Sequence, residues 1–276
     1  MLPEFKPTPD TTRKEIDYQG TTWIYYRLGA GNTAVILFPG GMRRPVYGDD
    51  FVKTLANHFV VLIPVYPPTG SLDLLAGCTA AMIREEGFGK AHLHGSSFGG
   101  IMVQVFYALY PSMTGKMVLA NTGTVSEDSA VISSLKLNRF FLKIMPSFIV
   151  NKIIRKTFTG IIPEEVPNKN DIINTVNELI AGGYLGKREM LCHFESLLQF
   201  HQKIHPSPDW IEKDKPPMLI ITADNDKGVR EGADKELKRR YPHAQFYHFT
   251  EGGHMPMLIK PDKFISTIVE FLRGKP

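Results

Sequence analysis

The chain has 276 residues, 43% of them hydrophobic and 22% charged, enough apolar chain for one large domain with a sizeable core. Its formal charge of +4 comes from Lys and Arg spread along the sequence, not massed as a nucleic-acid groove requires, so no nucleic-acid partner is expected. Two cysteines, Cys78 and Cys192, are too few for a disulfide framework, and no apolar run approaches the ~20 residues of a membrane-spanning helix.

The first twenty residues read as a Pro-rich tail without the unbroken apolar core of a signal peptide, and a soluble cytoplasmic protein is expected. TWIYYRLG and AVILFPGG then read as strands, the first aromatic and β-branched, the second a short apolar run closed by glycines. A helix over 46–57 separates them from a third apolar run, FVVLIPVYPP. Ser71 is placed to cap a helix running to about Glu86, with Gly87 as its stop. A strand over 90–94, a helix over 98–110 and a strand over 116–121 follow. This strand-helix-strand repetition predicts an α/β fold, a mostly parallel central sheet with helices on both faces.

From 125 to 214 the periodicity is helical, broken by Pro146, Pro163, Pro167, Gly182, Gly183 and Pro206, with no convincing strand. PPMLIITADND resumes the strands, followed by a helix over 229–240, the strand AQFYHFT and a last helix over 261–272. The expected organisation is a core of residues 1–124 and 215–276 interrupted by a helical cap of residues 125–214, far longer than an ordinary loop.

Gly95-Ser96-Ser97-Phe98-Gly99 fits the nucleophile-elbow pattern G-x-S-x-G and stands between a strand and a helix. A turn this sharp strains the serine backbone and needs neighbours without side chains. The same five residues also suit a plain Gly/Ser turn, so the companions decide. A serine hydroxyl is a weak nucleophile until a base takes its proton, and a third group must hold that base. Asp226 ends PMLIITADND and His254 lies in EGGHMPM after the next strand, in the chain order such an architecture uses. All three follow strand ends on one edge of a parallel sheet.

The HGSSFGG elbow, the PMLIITADND segment, the GGHMPML segment and the order of elements together resemble the α/β-hydrolase superfamily. FLKIMPSFIVNKIIRKTFTG, ELKRRYPHAQ and the glycine pair before His254 are similar to its maspardin-like branch. The resemblance implies an α/β-hydrolase fold with Ser97 as nucleophile, His254 as base and Asp226 as orienting acid. It places the acid three residues after a small strand-closing residue, here Ala223, while Asp224 would instead cap its own turn. Asn121-Thr122, where some members carry the acid, offers no rival. The oxyanion donors implied are the backbone N–H of Phe98 and, from Pro39-Gly40-Gly41-Met42 where the family often has His-Gly, that of Gly41, with Met42 next. No cofactor and no metal are implied.

His193, Glu195, His201 and His205 share one stretch, but only His201 and His205 have helical ligand spacing, so packing or surface roles are expected. His92 and His94 alternate along a central strand and read as packed; His58, His243 and His248 have no recognisable context. The cap holds Lys136, Arg139, Lys143, Lys152, Arg155 and Lys156 with no acid from Ser129 through Pro163. Its bulky residues, among them Phe140, Phe141, Met145 and Phe148, are expected to line a hydrophobic pocket over Ser97 while the charges face water. A peripheral contact with anionic lipid, or a mouth attracting acidic substrates, is the other use of that charge. The expected activity is hydrolysis of a carboxylic ester, thioester or lactone on a small hydrophobic substrate. A non-catalytic binding or scaffold protein on the same fold and a carbon–carbon bond hydrolase stay open.

Overall fold

The structure, a computed structural model, describes residues 8–46, 48–126, 128–166, 169–203 and 215–274. Its first half contains β1 (Thr12–Tyr18), β2 (Thr21–Leu28), β3 (Ala34–Phe38), α1 (Asp49–Ala56), β4 (Val60–Val65), α2 (Leu72–Glu85), β5 (Ala91–Ser96), α3 (Phe98–Leu109) and β6 (Thr114–Ala120). Then come four helices in succession, α4 (Ser129–Ile144), α5 (Ser147–Gly160), α6 (Lys169–Ala181) and α7 (Lys187–Lys203). The chain closes with β7 (Met218–Ala223), α8 (Ala233–Arg240), β8 (Gln245–Phe249), a short α9 (Pro256–Ile259) and α10 (Pro261–Arg273). Among the described residues no helix is long and apolar enough to cross a membrane.

The eight strands form one sheet in the order β1-β2-β4-β3-β5-β6-β7-β8. β1 and β2 pair antiparallel with each other, β2 pairs antiparallel with β4, and the other neighbours run parallel. β3 and β4 are fully buried along their lengths, which explains their unbroken apolar sequences: both faces are covered by helices. One face carries α2, α3 and α8 on a core that includes Phe38, Leu62, Met102 and Leu237; the other carries α1 and α10 around Phe51, Leu55, Phe264 and Ile268. Ser71 caps α2 by accepting the Leu74 N–H at 3.2 Å, and Gly87 past its end has φ 80°.

β4 lies on one side of β3 and β5 on the other, so the order reverses at β3. The loops leaving β3 and β5 therefore diverge and open a crevice at the carboxyl edge. Helices α4 to α6 carry a third apolar cluster of their own, with Leu142, Val150, Ile154, Val176 and Leu179 buried and Met42 of the β3 loop packed against it. Of the positions expected in this region, Pro167, His205 and Pro206 lie outside the described residues.

Candidate active site

β5 delivers Ser97 in a conformation that few L-residues adopt, φ 55° and ψ −122°. Three contacts hold it there. The Ser97 N–H donates to Ala120 O at 2.9 Å, Thr122 Oγ1 donates to Ser97 O at 2.7 Å, and the Gly100 N–H donates to the same carbonyl at 2.9 Å. The turn is so tight that a Cβ on Gly95 would run into the Gly99 backbone, and one on Gly100 would lie 2.6 Å from the Thr122 methyl. The close packing requires glycine at both positions.

His254 follows β8 through Gly252 and Gly253, both at positive φ. Its Nδ1 lies 2.7 Å from Asp226 Oδ1, and its side chain is 6% exposed. Asp226 follows β7; its Oδ1 also accepts the Gly228 N–H at 2.8 Å, while Oδ2 accepts Asn121 Nδ2 at 2.9 Å. Asn121, at the end of β6 with φ 45°, donates to Gly253 O as well, at 3.1 Å, and so ties the acid to the histidine loop. Burial alone would push the Asp226 carboxyl up, but the bond and charge of His254, with the Asn121 and Gly228 bonds, hold it below its ordinary value. Asp226 is thus an ionised acceptor, which puts the His254 proton on Nδ1 and leaves Nε2 with a free lone pair.

Ser97, His254, Gly40 and Gly41 line one cavity of about 370 Å³ at the crevice, with Asn121 and His94 in its walls. Asp226 sits behind His254. Phe98 opens α3 beside Ser97, so its N–H is among the first-turn donors without an intrahelical acceptor. Its ring is buried against Tyr66, His193 and the Arg43 guanidinium. Arg43 anchors the β3 loop: it is 1% exposed, has φ 60°, and donates through Nη2 to Thr69 O at 2.5 Å. A larger surface cleft of about 530 Å³ between α1 and α10, walled by Asp50, Lys53 and Glu270, contains no serine–histidine pair.

Residues 35–267 match the sequence profile of the alpha/beta hydrolase family. The chain belongs to that family. This α/β hydrolase is 25% identical over 267 residues, 90% of each chain, to a 2-hydroxy-6-oxononadienedioate/2-hydroxy-6-oxononatrienedioate hydrolase of Burkholderia vietnamiensis. It is 26% identical over 174 residues to Homo sapiens maspardin, covering 62% of this chain and 52% of that one. Its fold is that of a hydrolase of Pseudomonas aeruginosa, with a TM-score of 0.76 at 16% identity over 94% of this chain and 98% of the other.

The helices expected to form a cap, α4 to α7, meet the cavity differently from expectation. Phe140, Phe141 and Phe148 stand 55%, 45% and 65% exposed, and Met145 packs on the cap's own core. Phe158 and Ile161 at the end of α5, with Ile172 and Thr175 of α6, form the wall instead. Phe140, Phe141 and Phe148 lie on the other side of helices whose inner faces are already filled.

Several residues acquire roles that no local pattern gave them. Asn121 and Thr122 hold the acid and the elbow; the available signal was a polar pair closing a buried strand next to the elbow strand. Arg44 lines the cavity; among the described residues its Nε is buried without a hydrogen bond, its Nη1 donates to Tyr66 O at 3.3 Å, and its guanidinium lies over the Tyr184 ring. The tempting histidines disperse. His92 Nδ1 accepts the Lys116 N–H at 2.9 Å, His201 Nδ1 accepts the Ser126 N–H at 3.0 Å, and the half-buried His193 packs its ring on Phe98. Glu195 pairs with Arg139. His248 meets Asp224 at 3.0 Å on the surface.

Proposed function

We propose that the chain is a serine hydrolase that cleaves a carboxylic ester, thioester or lactone through Ser97, His254 and Asp226. The observation that carries this reading is the 2.7 Å bond between a half-buried, ionised Asp226 and His254, which lines the same cavity as Ser97. Ser97 Oγ attacks the carbonyl carbon while His254 Nε2 takes its proton, and Asp226 stabilises the imidazolium. The tetrahedral oxyanion is held by the N–H groups of Phe98 and Gly41. Collapse expels the leaving group with the proton from His254 and leaves Ser97 acylated. Water, deprotonated by His254, attacks the acyl carbonyl; the acid departs and Ser97 regains its proton.

A second reading uses the same residues on a carbon–carbon bond; the Burkholderia relative is named as a hydrolase of a 2-hydroxy-6-oxononadienedioate. Arg44 favours it, because a guanidinium that lines the cavity and is in no ion pair among the described residues suits a substrate carrying a carboxylate, although Asp171 on the exposed α6 side is a charge of the opposite sign. One assay addresses both: turnover of a neutral aryl ester, of its carboxylate-bearing counterpart of equal length, and of a 2-hydroxy-6-oxodienoate. Neutral ester turnover that Ser97→Ala lowers by orders of magnitude supports the ester hydrolase. Cleavage of the dienoate far above either ester, weakened about tenfold or more by Arg44→Gln, would favour carbon–carbon hydrolysis instead. No turnover of any of the three by a folded protein favours a binding role.

A further inference from the structure

Ten large apolar side chains stand exposed among the described residues, and seven of them fall between residues 137 and 153. Leu137, Phe140 and Ile144 follow one another along α4 at three- and four-residue spacing with Phe141 beside them, and Phe148, Ile149 and Ile153 continue the patch on α5. Ile144 and Phe148, flanking the Met145–Pro146 corner, are 60% and 65% exposed. These helices do not need that face to fold, because Leu142, Val150 and Ile154 already bury their inner sides in the cap core. A helix that only packs on its neighbours has one apolar face; these have two.

The surrounding charge has one sign. Lys136, Lys143, Lys152, Arg155 and Lys156 are exposed, and among the described residues none of them is in an ion pair; Arg139 alone is matched, by Glu195 at 2.6 Å. No Asp or Glu occurs between Ser129 and Pro163. We propose that this face of α4 and α5 is a docking surface for an anionic lipid bilayer. The two helices lie at the headgroup level, their phenylalanines and isoleucines inserted and the five cations beside lipid phosphates. A second copy of the chain fits the face less well, because a two-fold interface would set the same cations against themselves with no carboxylate on either helix. Docking would also bring the catalytic cavity close to the lipid: its wall residue Phe158 is five positions past Ile153, about 7.5 Å along the axis of α5. The inference goes beyond the hydrolase reading and does not rest on it, since binding needs no turnover.

The test is flotation of the whole chain with vesicles of phosphatidylcholine and phosphatidylglycerol, compared with phosphatidylcholine alone. Binding is expected to require phosphatidylglycerol and to weaken as salt rises. Phe140→Ser combined with Phe148→Ser should lower it about tenfold or more, and so should the combination of Lys152→Gln, Arg155→Gln and Lys156→Gln, with melting temperatures close to the parent's. The lipid and salt dependence of the unaltered chain decides the matter even if a variant fails to fold. No flotation with either vesicle overturns the proposal, as does binding that both sets of substitutions leave intact. Dimerisation in sedimentation velocity that the phenylalanine substitutions abolish, without vesicle binding, overturns it in favour of a second copy.

Discussion

Asp224 and Asp226 are two residues apart, yet each faces a different histidine. Asp224 meets His248 with both side chains about half exposed, at 51% and 54%, whereas Asp226 is 13% exposed against His254. A water-screened pair holds neither partner firmly; a half-buried carboxylate with three donors fixes a ring. Asp226→Asn should therefore lower turnover by orders of magnitude, with ~10⁴ the loss known for the protease form of such a triad, while Asp224→Asn should leave it nearly unchanged. Asn121→Ala removes a charge-assisted bond worth about 1.5–3 kcal/mol and should lower turnover at least about tenfold. Rate measurements on the three variants check the ranking, and a larger loss at Asp224 would reverse the assignment. That Ser97, Asp226 and His254 follow β5, β7 and β8 at one edge of the sheet was legible, because each of those strands is recognisable and is followed by its own turn. Asn121 and Arg44 were not: their meaning comes from chains that meet only across the sheet, β6 beside β7 and the β3 loop beside the cavity.

At the scale of elements, β3 and β4 were legible because buried parallel strands are continuous apolar runs, and β2 and β8 because aromatic and β-branched residues are concentrated between turn signals. β1 was missed. Its sequence, TRKEIDY, is mostly polar, and as an edge strand it buries little: only Glu15's neighbours on one face, Lys14, Ile16 and Tyr18, are partly covered. The helix expected from 229 begins at Ala233, after Gly232 at φ 80°. The helical character of the cap was plain, but its orientation was not. Periodicity locates apolar faces without saying which of two meets the core, and α5 reaches the cavity through Phe158 while Phe148 faces outward.

For the molecule as a whole, acid sensitivity is built into two interior histidines. His94, 1% exposed between Phe51 and Phe264, and His193, half-buried on Phe98, are both held down to about 3, by desolvation and, for His193, also by the charge of Arg43. In the unfolded chain both take up protons near pH 6.5, so between pH 6.5 and 3 the unfolded state binds more protons and stability falls as pH falls. Each contributes a slope approaching about 1.4 kcal/mol per pH unit in that window. Asp226, depressed in the folded state, adds to the loss only below its ordinary 3.8. Urea unfolding at pH 7.5, 6 and 5 should show the decline, and His94→Phe should remove about one proton from it; stability flat over that range would contradict the desolvated neutral histidines. Mapping the site of a fluorophosphonate label decides whether Ser97 is the nucleophile. A single adduct is expected on the peptide carrying Ser97 and lost in Ser97→Ala; an adduct on Cys78, Cys192 or another serine with Ser97 unmodified rules Ser97 out.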